Sequence, residues 1–188
     1  TVEVDVTELH RACRVQERSL FAAMLWRLVR AANRVPELRQ RVRTDDGEYV
    51  VQHDHVDPGF TVAAADGLFS YATTPLVNDE IQFAANVAEV SAPPAGPARL
   101  GAFEGQRDDL VFMSCLPWLR FSGLVQPMRQ LDTVPRIAWG RITRAGERST
   151  APVSLQAHHA LVDGQHVASF FAMLEQELTG DLRDAPQP

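Results

Sequence analysis

A chain of 188 residues can bury most of the surface its unfolded form exposes, so a single domain needs neither disulfide nor metal to hold a sizeable core. With 45% hydrophobic residues, 22% charged residues and a net charge of −6, and with no basic tract, the composition is that of a globular protein and excludes a general nucleic-acid binder. All eighteen basic residues are arginines, which leaves no lysine for Schiff-base or ammonium catalysis.

Val2 to Val6 alternates like a strand, and Thr7 is placed to cap a short helix with Glu8 in its first turn. Ser19 precedes Leu20, Phe21, Met24, Leu25, Leu28 and Val29, whose spacing marks one helical face and predicts a helix to about Asn33. Val42 to Val51 reads as two strand segments around Asp46-Gly47, a strong hairpin signal, and Phe60 to Val62 as a further strand. Asn78 to Val90 is helical in character, and Ser91 to Ala98 is a proline-rich surface loop. Strands are expected at Leu110 to Ser114, Leu119 to Ser122, Arg136 to Thr143 and Val153 to His159, the last two flanking a turn at Ala145 to Glu147. A final amphipathic helix runs from about Gly164 to Leu178 and ends near Gly180, before a polar tail from Asp181 to Pro188. No internal repeat is evident, and the pattern is mixed α/β.

The cysteines, Cys13 and Cys115, are too few for a disulfide framework and lack a Cys-x-x-Cys spacing, so a reducing compartment is expected. The apolar runs are too short to span a bilayer and the start carries no signal sequence, which makes cytoplasm the expected location and gives no membrane partner. Cys115 reads as a small buried hydrophobe rather than a nucleophile.

Most informative is the stretch His158-His159-Ala160-Leu161-Val162-Asp163-Gly164, which falls between a strand-like run and a helix-like run. An alcohol is a poor nucleophile at neutral pH, and an imidazole with a reference pKa of about 6.5 is suited to take its proton as it attacks a thioester. His159 is the better candidate for that base. Asp163 neutralises a nearby cation and braces the turn, and Gly164 permits a tight turn.

The motif resembles that of acyltransferases that use coenzyme A, in particular the chloramphenicol acetyltransferase family. Further segments occur in that family's order: Val4 to Thr7, Asn33 to Arg39, Asp46 to Glu48, Thr61-Val62, Leu68 to Ser70, Ser114 to Trp118, and His158 to Val167. The resemblance implies a two-layer α/β sandwich, a mixed sheet with packed helices, and a homotrimer whose sites lie between subunits. By the same resemblance His159 deprotonates an acceptor hydroxyl that attacks acetyl-CoA directly, with acetyl-CoA as co-substrate and no permanent cofactor. Ser114 donates a hydrogen bond to the oxyanion, a role worth ~2.7 to 4 kcal/mol for comparable donors. Phe103 matches a pocket phenylalanine, Trp118 and Ala138 fall on the acceptor side, and Arg141 supplies a cation near the coenzyme.

Four departures bear on the acceptor. The chain starts where the family has already run through a segment that supplies pocket aromatics and an arginine paired with the motif aspartate. The expectation is therefore one domain over residues 1–188 lacking that segment, with Asp163 needing another partner. Ala138 stands where better-known enzymes carry a threonine that holds water, Phe121 to Pro127 departs from the family pattern, and Ile142 replaces an aromatic.

Other groups point to less. His53 and His55 have the spacing to share a strand face, but with only Asp54 and Asp57 nearby they define no metal site, and none is expected. His166 reads as structural, His10 as exposed, and Arg39, Arg41 and Arg43 as a cationic strand face within reach of coenzyme phosphates. Three functions fit: an O-acetyltransferase conferring antibiotic resistance, a relative acting on another small hydroxyl compound in secondary metabolism, and a non-catalytic trimeric binding protein. The catalytic core of lipoyl-dependent dehydrogenase complexes shares scaffold and motif but ranks lower, because no lipoyl or peripheral-subunit segment is recognisable.

Overall fold

The structure, a computed structural model, describes residues 1–63, 68–92, 107–128 and 132–180. The later part of the proline-rich loop, Phe103 and the tail from Asp181 lie outside the described residues.

The first strand, β1 (Val2–Asp5), leads into α1 (Thr7–Val15). Thr7 is not the cap: Val6 holds that position, and the Asp5 carboxylate accepts from the Thr7 N–H at 2.9 Å and its hydroxyl at 2.6 Å. Ser19 does cap α2 (Leu20–Asn33), its Oγ accepting from the Ala22 N–H at 3.3 Å, and the Met24, Leu25, Leu28 and Val29 stripe is fully buried as the spacing predicts. A 3₁₀ turn (Pro36–Arg39) follows, then the hairpin β2 (Gln40–Arg43) and β3 (Tyr49–Gln52), with Gly47 at φ +81° between them. Next come β4 (Asp57–Ala63), β5 (Phe69–Thr73) and α3 (Glu80–Val90), which Asp79 caps through the Ile81 and Gln82 N–H groups.

Chain order then gives β6 (Leu110–Leu116), β7 (Arg136–Gly140), β8 (Thr143–Ala145), β9 (Arg148–Gln156) and α4 (Gly164–Thr179). Three strand expectations change here. Arg136 to Thr143 breaks after Gly140 into β7 and β8, and β9 starts at Arg148 and ends at Gln156, before the histidines. Leu119 to Ser122 is not a strand. Pro117-Trp118 turns the chain, the Leu119 N–H bonds back to Leu116 O at 3.0 Å, and Leu119 O takes the Arg141 N–H at 2.7 Å, so the segment crosses the sheet instead of joining it.

Among the described residues seven strands form one mixed sheet in the order β1-β9-β7-β6-β4-β5, with β8 beside β9, and β2 and β3 form a separate two-stranded sheet. Strands β4, β6 and β7 run parallel, and the other pairings are antiparallel. Side chains alternate between faces along each strand. Met113, Ile137 and Leu155 share one register row and Cys115, Trp139 and Val153 the next, and these rows pack on the helices as the core. Phe21 of α2 reaches this layer, its ring 5.6 Å from both Phe60 and Trp139. Each large side chain buried this way contributes roughly 1.5–3 kcal/mol. The two-layer α/β sandwich inferred from the sequence is the arrangement that forms.

The expected cationic strand face does not exist. Arg41 is 1% exposed and its guanidinium donates to the carbonyls of Leu38, Gln40, Asp108 and Leu110. Burial pulls its pKa down to about 10. Arg39 donates to the His53 and Asp54 carbonyls, and Arg43 pairs with Asp108 at 2.8 Å. Arg41 and Arg43 tie the hairpin to the segment that enters β6 and Arg39 to the chain after β3, which leaves all three poorly placed for phosphates.

Candidate active site

The open face of the sheet, opposite the helices, carries the even-numbered residues of β6 and β7. Ser114, Ala138 and Ser154 form one row on β6, β7 and β9, and Phe112, Arg136 and Gln156 form the adjacent row. The crossing segment lies on this face. Ser154 Oγ donates to Leu124 O at 3.2 Å, and Gln156 binds the backbone of Gln126 through both ends of its amide. Gly140 admits the segment: a β-carbon there would sit 2.6 Å from Leu119 O and 2.9 Å from Phe121.

Ser114 is half-buried and Ala138 fully buried, side by side in register. Trp118 stands 75% exposed just past the end of β6, because the turn after Leu116 lifts it off the sheet. Arg141 is exposed, with its N–H bound to Leu119 O. The Cys115 thiol faces the helices, and burial pushes it up to about 11, so it is no nucleophile at neutral pH.

After Gln156 the chain passes the amino-terminal end of β7 and turns. The His158 carbonyl accepts from the Leu161 N–H at 3.0 Å and the Val162 N–H at 3.1 Å, which fixes the loop. His159 is exposed, and its Nδ1 lies 3.2 Å from the Val162 carbonyl oxygen. A carbonyl only accepts, so in the neutral ring Nδ1 carries the hydrogen and Nε2 keeps a free lone pair. His158 Nδ1 accepts from the Ala160 N–H at 3.3 Å. Together with Val42, Thr44, Glu48, Thr133 and Ala160, His158 lines a cavity of about 110 Å³ beside the β2–β3 hairpin. Nothing in the sequence pointed to this cavity, since its walls come from three distant stretches.

Asp163 finds its partners locally. It caps α4, accepting from the Gln165 N–H at 2.8 Å and the His166 N–H at 3.2 Å, while His166 Nδ1 accepts from the Asp163 N–H at 3.1 Å. The His166 and Gln165 N–H groups hold its carboxyl below the usual carboxylate range. His166 is thus structural, as its place in the sequence implies, with Glu37 a further 3.6 Å neighbour. His10 is not free: its Nδ1 is 3.1 Å from Ser149 Oγ. His53 and His55 follow β3 rather than sit on it, and His53 Nε2 is 3.2 Å from Asp108. No cluster of three metal-ligating side chains occurs among the described residues.

Within one chain the structure does not bring His159 and Ser114 together. Ser114 is displaced by two residues, about 7 Å, from the Phe112–Arg136–Gln156 row toward the carboxyl end of β6, whereas His159 leaves that row in the other direction. No hydrogen bond joins them.

The fold has known counterparts. The chain is 27% identical over 186 residues to chloramphenicol acetyltransferase 3 of Escherichia coli, covering 97% of this chain and 86% of the relative. It is 29% identical over 187 residues to a chloramphenicol acetyltransferase of Streptomyces acrimycini, covering 89% of this chain and 77% of the relative. A solved chloramphenicol acetyltransferase superposes with a TM-score of 0.84 at 25% identity, covering 94% of this chain and 86% of the other. The cubic core of a pyruvate dehydrogenase multienzyme complex shares the fold at a TM-score of 0.74 and 16% identity, covering 95% of this chain and 79% of that one. The chloramphenicol acetyltransferase family model matches residues 1–175. With a family match over nearly the whole length and the fold of a solved member, the chain belongs to the chloramphenicol acetyltransferase family and is an acyltransferase.

Proposed function

We propose that the protein is a coenzyme A-dependent O-acetyltransferase in which His159 is the general base. The observation that carries this reading is the 3.2 Å contact from His159 Nδ1 to the Val162 carbonyl, which leaves Nε2 as the proton acceptor on an exposed turn. In the reaction, Nε2 takes the proton of an acceptor hydroxyl as its oxygen attacks the thioester carbonyl of acetyl-CoA. The Ser114 hydroxyl donates to the oxyanion that develops. Collapse breaks the C–S bond, and the thiolate takes the proton from the imidazolium, giving an acetyl ester and free coenzyme A. Asp163 acts through the helix cap that holds the turn.

Separation of His159 from Ser114 within one chain supports a homotrimer in which the two meet across a subunit boundary, as inferred from the sequence. The exposed Trp118 and, by resemblance, Phe103 then belong to the acceptor side, and Arg141 to the coenzyme side. The free cysteines support a cytoplasmic location, and no helix among the described residues is long and apolar enough to cross a membrane.

A second reading concerns the acceptor alone. Ala138 offers no hydroxyl beside Ser114, and the Leu119–Gln126 path covers the open face, which favours a small hydroxyl compound other than chloramphenicol. Release of coenzyme A thiol from acetyl-CoA, measured against a panel of alcohols that includes chloramphenicol, tests both readings. Transfer to another alcohol with slow chloramphenicol turnover is expected. Rapid chloramphenicol turnover removes the second reading, and no transfer to any alcohol removes both.

A further inference from the structure

The start of β7 holds a donor that the proposed chemistry leaves unused. Arg136 lies on the open face in register with Phe112 and Gln156, on the row that separates Ser114 from the His159 turn. Its side chain is 12% exposed. Nη2 donates to Asp132 Oδ2 at 2.6 Å, and the guanidinium carbon is 5.7 Å from the centre of the Phe112 ring. Nη1 is buried with no hydrogen-bond partner among the described residues. The neighbouring Gln156 amide is turned to Gln126, which both its ends bind, and makes no bond to Nη1.

A buried guanidinium N–H without an acceptor is costly, and a native fold keeps one where something else supplies the acceptor. The other unpartnered guanidinium atoms, on Arg27, Arg39 and Arg43, are Nε atoms of side chains whose terminal nitrogens bind elsewhere in the fold. Among the described residues only Arg136 has a terminal guanidinium nitrogen that is both buried and unpartnered, and it lies on the face assigned to the acceptor.

We propose that Arg136 is a specificity-determining residue that binds a carboxylate on the acceptor, so that the substrate class is a hydroxy acid rather than a neutral alcohol. This rests on the reading that the open face receives the acceptor. The planar guanidinium has donors for two carboxylates at once, Asp132 through Nη2 and the substrate through Nη1. A carboxylate forms the stronger, charge-assisted bond, whereas the ester of the same acid offers only a neutral oxygen.

The test compares matched acceptors, 4-(hydroxymethyl)benzoate and 3-hydroxybutyrate against their methyl esters, by thiol release from acetyl-CoA. Wild type is expected to favour the acids by about tenfold or more in kcat/KM, the size of a lost hydrogen bond to a charged group. Arg136→Met should bring the ratio close to one. Asp132→Asn, which removes the competing carboxylate, should raise it, and this variant decides the matter if Arg136→Met does not fold. An acid-to-ester ratio unchanged in either variant overturns the proposal. So does loss of the oligomer in Arg136→Met by light scattering with the ratio intact, because Nη1 then meets a neighbouring chain. Should wild type acetylate none of these compounds, calorimetric titration of 4-(hydroxymethyl)benzoate separates the two readings. Binding to wild type about tenfold tighter than to Arg136→Met upholds the carboxylate site while the acetyl-transfer reading falls. Equal affinities reject the site.

Discussion

Gln156 and Gln126 bind each other as two strands would. Gln156 Oε1 accepts from the Gln126 N–H at 2.7 Å and its Nε2 donates to the Gln126 carbonyl at 3.0 Å. A side chain at the end of β9 thereby supplies the ladder bonds that the crossing segment, being no strand, lacks. The result is a fixed cover over the open face beside Arg136.

Replacing Gln156 by alanine removes both bonds and costs about 2 kcal/mol if each contributes about 1. The larger effect is expected on the acceptor. A segment free to shift by ~1 Å misplaces the hydroxyl and lowers kcat/KM by about 100-fold. Thiol-release kinetics and thermal unfolding measure the two effects separately, and an unchanged kcat/KM would detach this segment from acceptor binding.

His159→Ala is expected to lower turnover by at least ~100-fold while leaving coenzyme A affinity and the melting temperature close to wild type. His158→Ala should act on stability, because it opens the cavity against Thr44 and Thr133. Single-turnover rates with calorimetric binding decide it. Equal turnover in wild type and His159→Ala rejects the base.

Gly140→Ala forces a β-carbon to within 2.6 Å of the Leu119 carbonyl and 2.8 Å of Pro152. Backbone must move to relieve this, at a cost of about 1–3 kcal/mol. Chemical denaturation reads that loss, and proteolysis near Phe121 reads the lifted segment. A variant as stable as wild type would show that the segment sits less tightly than described.

Asp163 contributes a pH-dependent part of stability. Its carboxyl titrates below its unfolded value of about 3.9 because the His166 and Gln165 N–H groups favour the charged form. The contribution is therefore present above the unfolded value and is lost as pH falls through the lower, folded one. Asp163→Asn retains a capping oxygen and should melt near wild type at pH 7, with a shallower decline from pH 5 to pH 3. Asp163→Ala should be less stable at pH 7. An unaltered acid limb in Asp163→Asn would assign the acid sensitivity to other carboxylates.

Legibility followed the range of the interaction. The α2 stripe, the Asp46-Gly47 hairpin and the Asp163 position before α4 are written in residues within a few places of one another, and each formed as expected. Leu119 to Ser122 misled because an apolar run that covers a sheet face has the same composition as one that pairs in it. Arg41 gave no hint of burial, since two of the carbonyls that satisfy it, those of Asp108 and Leu110, lie far along the chain. The Ser114–Ala138–Ser154 row and the unused Arg136 nitrogen likewise depend on register between distant strands. The histidine motif marked the proposed base, His159, but its separation from Ser114 within one chain required the sheet.

The Nδ1 hydrogen of His159 ends on a main-chain oxygen, that of Val162, rather than on a side chain. Side-chain substitution at position 162 leaves that oxygen in place, so only a change in the path of the chain releases the ring. Residues on the open face hang from other elements, β6, β7 and the crossing segment. In the proposed mechanism the proton-taking half of the site is therefore insulated from sequence drift in the half that selects the acceptor, and a lineage can exchange one alcohol for another without having to rebuild its base.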